Sequence, residues 1–146
     1  MALTANRVSK FSERNELERL EVDVSDPVIF EGAILARNPG GTGNLLLGAD
    51  TASFVFAGIA FDEFPGFVPQ DVTTITTDDR KIDVAVPGSG RSFILPIGST
   101  VDATDIGLDV FIVDDETVDL VGVTTNDVRV GTIVNVIDAN TVKVRI

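Results

Sequence analysis

The stretch Val128-Arg-Val-Gly-Thr-Ile-Val-Asn-Val-Ile-Asp-Ala-Asn-Thr-Val-Lys-Val-Arg-Ile146 closes the chain and decides its reading. Val142, Val144 and Ile146 alternate with Lys143 and Arg145, the period of a strand with one face turned inward. The same alternation on the preceding run puts Val128, Val130, Val134 and Val136 on one face. Asp138-Ala-Asn140 between the runs has the chemistry of a turn, so the stretch is a β-hairpin. Upstream, Ile112-Val-Asp-Asp-Glu-Thr-Val-Asp-Leu120 aligns with Val136-Ile-Asp-Ala-Asn-Thr-Val-Lys-Val144. Each reads as a strand, an Asp-led turn, then Thr-Val and a returning strand. The chain therefore holds a weak internal repeat of hairpins.

Composition extends this reading to the whole chain. Among 146 residues, 21 Val, 12 Ile and 14 Thr stand against 10 Leu and 11 Ala. A β-branched excess of that size favours strands. Residues 45–47 and 54–61 are apolar at successive positions, which predicts interior strands. Ile82, Val84 and Val86 alternate with Lys81, Asp83 and Ala85, which predicts a half-exposed one. Residues 38–44 are a loop by composition, residues 93–95 add a short strand, and residues 104–109 predict one helical turn. The predicted fold is all-β, a small antiparallel barrel or sandwich built from hairpins.

Residues 1–21 stand apart as an N-terminal arm, with the body spanning residues 22–146. The arm holds four of the seven Glu and almost no β-branched residues. Ser12 is placed to cap a short helix over residues 13–20, with Leu17 and Leu20 on one side of it. Arg7, Lys10, Arg14 and Arg19 against Glu13, Glu16 and Glu18 give residues 1–20 a net charge of +1, so that residues 21–146 carry −13 and the whole chain −12. A segment with so little apolar surface orders only by lying on something else.

The inventory excludes several chemistries. There is no His, Cys, Trp or Tyr. Imidazole- or thiol-based nucleophile pairs, Cys/His zinc sites and thiol redox couples are thereby absent. The acidic balance argues against nucleic-acid partners and anionic membranes. Met1 to Leu20 lacks the apolar core of a signal peptide, and no run of 18 apolar residues occurs, so a soluble cytosolic product is expected.

Asp114, Asp115, Glu116 and Asp119, preceded by Asp102, Asp105 and Asp109, form the densest acidic region. A calcium loop alternates its oxygen ligands around a Gly and closes on a Glu, and no window here does so. In the repeat, Ala139-Asn140 fills the place of Asp115-Glu116, so these acids read as solvated turn residues. The expectation is no metal and no cofactor. Paired carboxylates for glycoside hydrolysis lack Trp or Tyr to line a sugar groove. Gly40-Gly-Thr-Gly43 is not followed by Lys-Ser/Thr, and Ser89 and Ser92 sit in no nucleophile elbow. No enzyme is expected.

Phe61, Phe64 and Phe67 lie in Phe61-Asp-Glu-Phe-Pro-Gly-Phe-Val-Pro-Gln70, a segment broken by two prolines. These rings either fold back as a lid on the core or dock against a neighbouring subunit, where aromatics are enriched.

Three stretches carry a family likeness. Ala2-Leu-Thr-Ala-Asn-Arg7, Val28-Ile-Phe-Glu-Gly-Ala-Ile-Leu35 and Val101-Asp-Ala-Thr-Asp-Ile-Gly-Leu-Asp-Val-Phe-Ile-Val-Asp-Asp-Glu-Thr-Val118 resemble capsid decoration, or head cement, proteins of tailed bacteriophages. The closing hairpin is similar too, and the order of the motifs is shared over most of the chain. The resemblance implies a non-enzymatic β protein on the outer surface of the phage head, made in the host cytoplasm. Its implied partners are the major capsid protein, whose lattice it stabilises, and its own copies in a homotrimer. On that reading Arg7, Lys10, Arg14, Leu17 and Leu20 face the capsid, while Phe61, Phe64 and Phe67 face a sister subunit. Two other classes remain: a virion-surface module binding a host receptor or glycan, and a carboxylate-based metal-dependent hydrolase.

Overall fold

A computed structural model describes residues 17–23, 29–61 and 81–146. Sheet one contains β1 (Leu17–Glu21), β2 (Ile34–Arg37), β3 (Leu45–Leu47), β4 (Val55–Ala60) and β5 (Lys81–Ala85), in the order β1-β5-β4-β2-β3. Sheet two contains β6 (Ser92–Pro96), β7 (Asp109–Ile112), β8 (Val118–Leu120), β9 (Arg129–Asp138) and β10 (Thr141–Arg145), in the order β6-β10-β9-β7-β8. Every ladder between neighbouring strands is antiparallel. Of the two expected architectures this is the sandwich. Single parallel bridges, Val22 to Leu45 and Ile97 to Val118, tie the outer strands of each sheet without closing a barrel.

Sheet one is buried on both faces. Ile34, Ala36, Ile59 and Ala85 join Phe93, Leu95, Ile112, Ile133, Val142 and Val144 in a core shared between the sheets. Leu35, Ala57, Ala60, Ile82 and Val84 form a second core on the other face with Val22, Ile29, Ala33 and Leu45. A strand covered on both sides has no polar alternation to display, which is why residues 54–61 read as a continuous apolar run. β4 is the central strand, as that run predicts. The Leu45–Leu47 strand is not interior in the same sense: β3 is outermost, and Leu46 and Leu47 are only half-buried.

The arm ends differently from the expected helix. Leu17–Glu21 is a strand, pairing with β5 from Leu17 opposite Ala85 to Glu21 opposite Lys81. Two leucines give a helix too narrow an apolar stripe to hold it, whereas an open strand edge supplies a ladder of backbone partners. Residues 17–21 thus belong to the sheet, while residues 1–16 lie outside the described residues.

Bulges also change the phase of the closing hairpin. Val144 pairs with Ile133 but Lys143 with Asn135, leaving Val134 as the extra residue. Val110 pairs with Gly131 but Phe111 with Arg129, leaving Val130 extra. An added residue switches which side of a period-2 strand faces in. Ile133, rather than the expected Val134, therefore enters the core at 1% exposure, and Val134 is half-buried. Gly131 is required at this bend, since a Cβ there would overlap the Arg145 carbonyl oxygen.

The expected hairpin turns share one device. Asp114 Oδ1 accepts the N–H of Glu116 at 2.9 Å, and Asp138 Oδ1 accepts that of Asn140 at 2.9 Å. The helical turn expected over residues 104–109 is a shorter 3-10 turn over Ala103–Asp105, and Asp109 already begins β7. Asp102 Oδ1 accepts the Thr104 N–H at 2.8 Å, and Asp105 Oδ2 accepts the Asp102 N–H at 2.9 Å, a reciprocal cap.

Candidate functional site

The expected contact residues fall into three places. Arg7, Lys10, Arg14, Phe64 and Phe67 lie outside the described residues. Leu17 is 37% exposed on edge strand β1, while Leu20 is half-buried and packs on the second core. Phe61 is half-buried and packs against the shared core, with the Arg91 guanidinium 5.0 Å from its ring centroid. Arg91 itself is 2% exposed. A cation over a ring face in so dry a place holds both groups in position. Phe61 thus packs on the core through part of its ring, at the start of the aromatic segment.

The acidic turn is less solvated than its composition implies. Asp115 and Asp119 are each 5% exposed. The Asp115 carbonyl accepts the Ile34 N–H at 2.8 Å, so this turn abuts sheet one. Asp119 Oδ1 accepts the N–H groups of Ser99 at 3.1 Å and Leu120 at 2.8 Å, tying β8 to the loop after β6. Gly98 permits that approach, because a Cβ there would overlap the Asp119 carboxylate. Asp115 and Asp119 are structural rather than solvated, a correction that follows from partners distant in sequence. No group of three or more acidic side chains is disposed to hold a metal ion among the described residues. The Ser89 hydroxyl accepts the Arg91 N–H at 3.4 Å and is buried, as befits a turn residue.

Two polar constructions went unread in the sequence. The Asp50 carboxylate accepts the N–H groups of Thr125 at 2.6 Å and Asn126 at 2.8 Å, fastening the loop between β8 and β9. The Thr124 hydroxyl donates to Asp127 at 2.6 Å within that loop. The Thr125 N–H above all holds the Asp50 carboxyl below the ordinary value; burial opposes it, and the Asn126 backbone and side-chain N–H groups add to the lowering. On sheet two, Arg129 Nη2 lies 2.8 Å from Asp109 Oδ1, and the Thr132 hydroxyl donates to the same oxygen at 2.8 Å. The Arg129 hydrogen bond, followed by that of Thr132, depresses the Asp109 pKa.

Beside this cluster lies an apolar groove of about 370 Å³, lined by Leu108, Asp109, Phe111, Leu120 and Val121. Of its lining, Leu108 is 46% and Val121 70% exposed; Ile106 and Val123, near them in sequence, are 46% and 59% exposed. The only foreshadowing in the sequence is the spacing Val121-Gly-Val123 in a turn, since apolar residues that meet across a groove come from separate strands. In comparisons with known families, curated proteins and solved structures, nothing matches this chain. What the arrangement offers chemically is contact: an apolar recess beside fixed charges.

Proposed function

We propose that the chain is a head-decoration protein of a tailed bacteriophage, a non-enzymatic β module that binds the outer capsid surface and stabilises the major capsid protein lattice. The observation that carries this reading is the exposed apolar set Ile106, Leu108, Val121 and Val123 on a β protein of net charge −12. Large apolar side chains exposed beside an apolar groove mark contact surfaces. The sequence likeness in residues 2–7, 28–35 and 101–118 supplies the kind of contact. A lattice multiplies modest single contacts, so a small surface can stabilise a whole head. Homotrimerisation, with Phe64 and Phe67 toward the sister subunit, belongs to the same proposal, as does capsid contact through Arg7, Lys10 and Arg14.

The test uses heads of a phage encoding this chain, prepared without it. Added protein should co-sediment with those heads and raise their rupture temperature, and imaging should show it on the outer surface. Removing residues 2–16, short of β1, should leave a folded body with weakened attachment. Absence of binding to undecorated heads refutes the reading, and binding to a host receptor or glycan instead favours the receptor module.

A further inference from the structure

The outer face of sheet two joins the apolar groove, whose Leu108 and Val121 belong to the exposed set of the head-decoration reading, to cations that reading does not use. At its β7–β8 margin lies the groove, bordered by Leu108, Phe111 and Val121 and reaching Leu120, which itself packs on the shared core. Crossing the same face, Arg129 pairs directly with Phe111, and Arg145 and Lys143 follow on β10 opposite Thr132 and Asn135. Val142 and Val144 are fully buried, so Lys143 and Arg145 between and beside them face away from the core. Arg129 offsets Asp109. Lys143 and Arg145 have no ion pair among the described residues. Neighbouring strands are about 4.8 Å apart, so the cations on β10 stand about 10 Å from the β7 groove wall.

We propose that this face binds an extended acidic segment of a partner protein, with an apolar side chain in the groove and its carboxylates over Arg145 and Lys143. The sign of the charge selects the partner. In a chain of net charge −12, a row of cations beside an apolar recess repels basic segments locally and attracts acidic ones. The groove is near the lower end of the ~300–1,000 Å³ range of ligand sites, which suits one or two large side chains. The apolar anchor gives a contact that salt does not screen, and the cations set direction and on-rate. This proposal stands without the phage reading, and its test needs only the isolated protein.

Fluorescence anisotropy of the full chain would use three labelled probes: the peptide Leu-Phe-Asp-Glu-Asp-Glu-Ser-Gly, its counterpart with four Lys in place of the acids, and a ten-nucleotide oligothymidylate. The acidic peptide should bind about tenfold or more tighter than the basic one. K143E/R145E and L108S/V121S should each weaken it about tenfold while keeping the wild-type circular dichroism, because all four side chains are at the surface. Raised salt should weaken the wild-type contact and leave the residual binding of K143E/R145E nearly unchanged. No binding of the acidic peptide, wild-type affinity retained in either double variant, a preference for the basic peptide, or oligonucleotide binding that K143E/R145E abolishes would each overturn the proposal.

Discussion

Asp50 and Asn126 lie 76 residues apart, yet the Asp50 carboxylate accepts the Asn126 backbone N–H at 2.8 Å while the Asn126 side chain donates to the Asp50 carbonyl at 3.0 Å. One acidic residue after β3 thereby fixes the loop that presents Val121 and Val123. The loop's shape is a property of sheet one as much as of its own sequence.

Asp50→Ala should cost about 1 kcal/mol at neutral pH, the modest value of exposed hydrogen bonds. The pH dependence has a definite sign. The folded-state pKa lies below the ordinary 3.8, so the contribution is fully present above that value and is lost as pH falls through the lowered pKa. The melting-temperature gap between wild type and D50A should be constant from pH 7 to about pH 5 and shrink in the acid range below 3.8. A gap that widens in acid contradicts this assignment.

Gly131→Ala places a methyl group against the Arg145 carbonyl oxygen, a backbone atom that moves only if β10 moves. A loss of about 3 kcal/mol or more is expected from such overpacking. Gly88→Ala meets nothing nearby, but its φ of 82° adds backbone strain, about 1 kcal/mol. Urea titration of both variants separates a steric cost from a conformational one.

Ile133→Ala and Val134→Ala report the bulge directly. Ile133 is 1% exposed in the shared core, so its truncation should cost about 2–5 kcal/mol. Val134 is the unpaired residue and half-buried, so about 1 kcal/mol or less is expected. Strict alternation along β9 requires the opposite ranking.

Phe61→Ser should lower stability by about 2 kcal/mol through lost contact with the shared core and lost support for Arg91. Calorimetry combined with sedimentation velocity distinguishes this from a purely intersubunit role, in which the melting temperature of the dissociated chain is unchanged.

The chain's own pattern was enough for the strand content, for both Asp-led hairpins and for the interior position of β4. These depend on neighbours in sequence: alternation, β-branching, and an Asp accepting the N–H two residues on, as at Asp114 and Asp138. Tertiary structure decided the rest. Leu17 and Leu20 suited a short helix until the edge of β5 offered a ladder, because backbone pairing across strands outweighs a weak local preference. The phase of β9 depended on which residues Val110 and Val144 face, so Ile133 displaced Val134 from the core. Asp115 and Asp119 appeared solvated because the groups around them, from Ile34 to Ser99, are remote in sequence. The groove beside Arg129 was invisible for the same reason: its walls come from separate strands, and only their pairing sets Phe111 next to a row of cations.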